Sequence, residues 1–144
     1  IGEKTLIHSG AVIGNPGLGS IQNNKNKYYN FPHFNGVIIS KNITIGSNTV
    51  IDRGTLSDTI IKEGTKIGPN NWIGHGVEIG RNCFISQGVT IGGSTVIEDN
   101  CKIWGNSSIR DQVTIMEGAI VGLGSVVLKD IPSGKRWLGL SIKD

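Results

Sequence analysis

From Ile61 onward a β-branched residue returns at every sixth position without a slip: Ile61, Ile67, Ile73, Ile79, Ile85, Ile91, Ile97, Ile103, Ile109, Ile115, Val121 and Val127. Four positions after each anchor stands a mostly small residue, as at Thr65, Val77, Cys83, Cys101 and Ser107. Three positions after each anchor comes a corner candidate, and nine of these twelve are Gly or Asn, the residues that enter positive φ most cheaply. The chain therefore turns at a fixed beat. Short strands between regular corners, each sending one large and one small side chain inward, predict an all-β fold, a β-helix of hexapeptide repeats with three segments to the coil. Anchors at Ile1, Ile7, Ile13, Ile39, Ile45 and Ile51 keep the same step. Residues 1–131 thus read as one β-helix domain of about six coils, roughly 30 Å tall at the strand spacing of ~4.8 Å.

Two interruptions break the beat. Between Ile13 and Ile39 a polar segment, about residues 15–36, ends in Tyr28, Tyr29, Phe31, His33 and Phe34; it is expected to be an extruded, functional loop. Between Ile51 and Ile61 the spacing is ten, so four extra residues form a bulge that shapes a neighbouring site. A solenoid presents unpaired backbone at its ends, and residues 132–144, with Trp137 and Leu138, are expected to cap the C-terminal coil. Ile1 opens in mid-pattern, which predicts further residues upstream.

Composition narrows the class. With 23 Ile and 10 Val against 7 Leu and 2 Ala, a helical bundle is excluded. No apolar run reaches the ~20 residues of a membrane span. Two cysteines make no disulfide framework and point to a reducing cytoplasm. The net charge is +3, but no block of like charges marks a nucleic-acid partner, whereas small phosphorylated molecules suit the balance.

Chemistry has few places to reside. His8, His33 and His75 lack the spacing of a metal site, which argues against a zinc hydratase on this fold. His75 lies between Gly74 and Gly76 just before a corner, so its imidazole points outward where a ligand approaches closely. An imidazole, with an unperturbed pKa near 6.5, suits a general base. Cys83 and Cys101 are one coil apart and read as stacked core filler. Trp72 and Trp104 fall at outward positions, as a subunit contact or a ligand wall.

The run from Thr49 to Ile67, with Asp52-Arg53-Gly54 and Asp58-Thr59, followed by Ile73 to Gly80, resembles the UDP-3-O-acylglucosamine N-acyltransferases of lipid A biosynthesis and related sugar acyltransferases of surface-polysaccharide clusters. The segment from Ile13 to Gly19 is similar to their glycine-rich stretch, and residues 121–132 to the last coil of acetyl-CoA-dependent relatives. The resemblance implies a left-handed parallel β-helix, a homotrimer with active sites between subunits, and His75 as general base for acyl transfer from a thioester to the amino group of a nucleotide-linked sugar. Candidate substrate contacts are His33, Asp52, Trp72, Asn106 and Gln112, the last a departure, standing where the similar lipid A enzymes carry a second histidine. Lys129, Lys135 and Arg136 are candidates for donor phosphates. No tightly bound cofactor or metal is expected; acetyl-CoA or an acyl carrier protein thioester is the co-substrate. An O-acetyltransferase of a sugar and a non-catalytic assembly subunit are the alternative readings.

Overall fold

A computed structural model describes residues 1–143; Asp144, the last residue of the expected cap, lies outside them. Three parallel sheets enclose a triangular core. Sheet I contains Leu6–Ile7, Thr44–Ile45, Lys66–Ile67, Phe84–Ile85, Lys102–Ile103, Ile120–Val121 and Arg136–Leu138, and ends in Ser141–Lys143. Sheet II contains Val12–Asn15, Val50–Asp52, Trp72–Ile73, Thr90–Ile91, Ser108–Ile109 and Val126–Val127. Sheet III contains Val37–Ile39, Thr59–Ile61, Glu78–Ile79, Val96–Ile97 and Thr114–Ile115.

The register explains the beat. Ile73 pairs with Ile91, Ile91 with Ile109 and Ile109 with Val127, each 18 residues apart, so one isoleucine or valine stacks on the next along every face. The anchors from Ile39 onward are essentially without solvent exposure, and a column of such side chains buries its apolar surface most completely when every coil repeats the last. The small inward residues fill what remains, and their polar atoms are bonded to backbone. Thr65 Oγ1 donates to Gly80 O (2.8 Å) and Ser107 Oγ to Gly122 O (2.9 Å). Cys83 and Cys101 are free and buried, and the neighbouring thiol together with burial pushes Cys101 well above the ordinary thiol range.

Ile1, Ile7 and Ile13 keep the step but remain partly or largely exposed, because among the described residues no coil lies on their far side. At the other end Trp137 is 1% exposed, and its Nε1–H faces two carbonyls, Val126 O and Gly139 O, at 3.0 and 3.1 Å. Ser141–Lys143 turns back antiparallel on Arg136–Leu138.

Between sheets II and III the chain leaves the prism as a hairpin arm, Ser20–Gln22 paired antiparallel with Tyr28–Asn30. Asn23 closes its tip, its Oδ1 accepting the N–H groups of Lys25 and Lys27. No helix among the described residues is long and apolar enough to cross a membrane.

Candidate active site

His75 follows Trp72–Ile73 of sheet II and precedes the corner to sheet III, so it stands on the edge where those sheets meet. The same place in later coils is taken by Gly93, Asp111 and Lys129. Gly93 is glycine for a reason visible at once: a Cβ there would come within 2.6 Å of His75 Nε2, so the missing side chain is the seat of the imidazole. Thr55 Oγ1 lies 3.4 Å from Nδ1. With Thr55 accepting, the proton sits on Nδ1 and Nε2 keeps a free lone pair above Gly93.

Thr55 comes from the four-residue insertion. With Leu56, Ser57, Gly76, Ser94 and Phe31 of the arm it walls a largely apolar slot of about 190 Å³ that opens on His75. The expected bulge therefore forms one side of the slot and the arm the other.

The Asp52-Arg53-Gly54 signature grips the two roots of the arm. Asp52 is 1% exposed; its Oδ1 accepts from Asn15 Nδ2 (2.8 Å) and its Oδ2 from Trp72 Nε1 (3.0 Å). Arg53 donates from its main-chain N–H to Asn15 O and from Nε to Gly14 O, each at 2.9 Å. On the return side Gly36 N–H donates to Asp58 Oδ1 (2.8 Å), and Gly36 O accepts from Gly54 and Thr59. Thr59 Oγ1 donates to Asp52 O (2.7 Å) and accepts the Gly76 N–H (2.9 Å), tying this buckle to the corner beside His75.

The arm lays His33 on His75, with ring centroids 5.4 Å apart and planes at 67°, while Phe31 stacks on His33 at 5.8 Å.

The expected site residues separate accordingly. His75, His33, Asp52 and Trp72 come together, but both Asp52 carboxylate oxygens are engaged by protein groups and His33 Nε2 is sealed from solvent. Gln112 lies on the His75 edge two coils along, its N–H bonded to Gly93 O (3.0 Å). Lys129 is on that edge three coils along, about 14 Å at the strand spacing. Arg110 and Lys129 both border a cleft beside Gln112. Asn106 turns the edge between sheets I and II, and Lys135 and Arg136 lead into sheet I, so within one chain these three lie away from His75.

Sequence reasoning missed Ser94, Thr55 and Ser57. The signal for Ser94 was available. The three corners that are neither Gly nor Asn, namely Ser94, Gln112 and Asp130, all fall on the His75 edge, and Ser94 and Gln112 hold φ of 57° and 59°. Side chains are tolerated in that left-handed region only at a cost, which suggests that they are kept for what they contact. Among the described residues no three His, Cys, Asp or Glu side chains group as a metal site.

Comparisons with known proteins bear on the family and the fold. The family model described as bacterial transferase hexapeptide (six repeats) matches residues 58–93 and 94–129. A protein of Rhizobium meliloti (strain 1021) named UDP-3-O-acylglucosamine N-acyltransferase is 45% identical over 140 residues, which are 97% of this chain and 40% of that protein. One of the same name from Caulobacter sp. (strain K31) is 36% identical over 139 residues, 96% of this chain and 41% of that protein. The chain thus spans about two-fifths of the length of these relatives. Among solved structures, a UDP-N-acetylglucosamine acyltransferase superposes with a TM-score of 0.87 at 24% identity, over 99% of this chain and 53% of that one. The Arabidopsis UDP-N-acetylglucosamine acyltransferase gives 0.81 at 24%, over 99% and 55%. These likenesses establish the left-handed β-helix. The crossovers run against the usual right-handed rule, and a hand of that kind is set by the whole coil rather than by any one corner. With residues 58–129, half of the chain, matched by that model, and a relative 45% identical over 97% of the chain, the chain belongs to the bacterial transferase hexapeptide family.

Proposed function

We propose that the chain transfers an acyl group from a thioester to the amino group of a nucleotide-linked amino sugar, with His75 as general base. One observation carries the reading: the only imidazole on the regular edge is oriented by Thr55, has Nε2 over Gly93, and faces an apolar slot fit for an acyl group. The names of the relatives support the substrate class.

In this scheme Nε2 takes a proton from the attacking amine as its nitrogen bonds to the thioester carbonyl carbon. The tetrahedral intermediate collapses, the C–S bond breaks, and the imidazolium returns the proton to the departing thiolate. The negative oxygen needs a donor. The Gly74 N–H is bonded to Ile91 O (2.9 Å) and the Gly76 N–H to Thr59 Oγ1, which removes both neighbours of His75 from that role. Among the described residues the Gly93 N–H donates to no group of the chain, and it lies beside the base. We assign it the oxyanion. Arg110 and Lys129, farther along the same edge, suit the phosphates of acetyl-CoA or of an acyl carrier protein's prosthetic arm. A homotrimer, working in the cytoplasm, would close the open side of this edge with a second chain.

The test is His75→Ala, assayed with acetyl-CoA and hydroxyacyl carrier protein against a panel of UDP- and dTDP-amino sugars. A general base typically contributes ~10²–10⁴ in rate, and a loss of that size in a folded protein is expected. Transfer at the wild-type rate overturns the assignment.

A further inference from the structure

We infer that His33 is a positioning residue for His75: the arm exists to press this second imidazole edge-to-face against the base and hold its ring in the orientation that leaves Nε2 above Gly93. The inference rests on the reading of His75 as the base, and it concerns a residue that touches His75 rather than substrate.

Three features lead to it. The contact is close, 5.4 Å between centroids, and Phe31 stacks on His33 at 5.8 Å, so two rings hold the imidazole. The chain is also shaped around it. A Cβ at Gly17 would come within 2.8 Å of His33 Nε2 and 3.4 Å of His75 Cβ, and one at Gly19 within 2.8 Å of His33 Cε1. Neither glycine has the positive φ that would otherwise explain it. Finally, His33 Nε2 is buried with no hydrogen-bond partner. A buried polar atom left unpaired costs stability that an apolar side chain would avoid, so packing alone is a poor reason for histidine here. The nitrogen is closed off from solvent beside Gly17, while the ring lies edge-to-face with His75.

The imidazole of His75 has otherwise one lateral restraint, the 3.4 Å contact from Nδ1 to Thr55. Without His33 the ring is free to turn over, which exchanges the two nitrogens and places the protonated one above Gly93 for part of the time. A misplacement of about 1 Å, or the wrong tautomer, costs up to ~10² in rate while leaving substrate affinity almost unchanged. The buckle of Asp52, Arg53 and Asp58 then acquires a purpose. By fixing both roots of the arm it fixes His33.

The chain has only three histidines, so selective ¹⁵N-histidine labelling reads His75 directly, in the full chain and without any substrate. Wild type should show His75 as one dominant tautomer protonated on Nδ1. In His33→Ala the His75 nitrogens should shift toward the average of two tautomers, with kcat down ~10- to 10²-fold, acceptor KM within twofold, and partial rescue by the planar amide of His33→Gln. Should His33→Ala fail to fold, Gly17→Ala, whose Cβ would come within 2.8 Å of His33 Nε2, displaces His33 and should move the same signals. His75 signals that stay in place in these variants, or a kcat that survives their movement, overturn the inference. The failure of the proposed reaction reads differently: no transfer by wild type on any substrate pair, with the His75 signals still responding to His33.

Discussion

The three edges of the prism obey one six-residue rule, yet they are built differently. Along the edges between sheets I and II and between sheets III and I, from Gly64 to Gly124, every corner is Gly or Asn, and the side chain of one corner commonly fills the space left by another. Asn82 Oδ1 lies where a Cβ on Gly64 would be, and Asn106 Oδ1 where one on Gly88 would be. These edges are optimised for turning. The edge between sheets II and III carries His75, Gly93, Ser94, Asp111 and Gln112, and both insertions leave the prism beside it. It keeps side chains where the backbone prefers none. The lesson is that in a repeat protein a functional site is written as local disobedience, because the rest of the coil already defines what obedience costs.

The contrast is broken most severely at Asp52. Replacing it with Ala takes the acceptor from one Asn15 Nδ2–H, the other keeping Pro16 O (2.9 Å), and from the indole of Trp72, which is 37% exposed, and it frees one root of the arm. A buried donor left without a partner costs ~1–3 kcal/mol, and water reaches the indole, so a loss of about that size should appear in the urea unfolding free energy. An unchanged unfolding midpoint would mean that the buckle holds nothing.

The next largest effect separates two kinds of glycine. Gly93 has ordinary φ but no room, since its Cβ would meet His75 at 2.6 Å; Gly118, on the edge between sheets III and I, has room but a φ of 69°. Gly93→Ala should displace the base and lower kcat about 10²-fold with little change in melting temperature. Gly118→Ala should do the reverse, keeping kcat and losing ~1 kcal/mol of stability. Equal behaviour of the two in steady-state kinetics and thermal melting would erase the distinction between the edges.

Much of this was legible beforehand, and the reason is periodicity. A column of isoleucines every 18 residues declares itself in the sequence because each coil sees the same neighbours, and His75 stood out as the imidazole in phase with the columns. What depends on contacts without a period did not show. His33 and His75 are 42 residues apart, and only the arm's path, with Gly17 and Gly19 yielding space, brings them together. Asp52 was a candidate substrate contact through the Asp52-Arg53-Gly54 signature, and nothing in its sequence neighbours announced that Asn15 and Trp72 would engage both its oxygens. Asn106 was expected at the site, but the corner it makes has the ordinary Asn of a turning edge, φ 57°, and sits on a different edge from the base. The hand of the helix came through resemblance alone, since corner composition is the same for either hand.

The smallest effect sharpens the comparison most, because it predicts opposite signs on two edges. Ser94 sits at φ 57°, lines the slot beside His75 and donates its main-chain N–H to His75 O (2.9 Å). Ser94→Asn puts the residue that other corners prefer into the same backbone, and should raise stability by about 0.5–1 kcal/mol. The larger amide would crowd a slot of about 190 Å³, so kcat/KM should drop severalfold even as the melting temperature rises. Asn82→Ser makes the inverse exchange at φ 53° on the edge between sheets III and I, and should lose a similar amount of stability with kinetics unchanged. Gain of stability with loss of activity at one corner, set against loss of stability alone at the other, is what a functional departure from the repeat requires. If Ser94→Asn stabilises the chain and leaves kcat/KM intact, the serine is drift, and the disobedience of this edge reduces to His75 and the glycine beneath it.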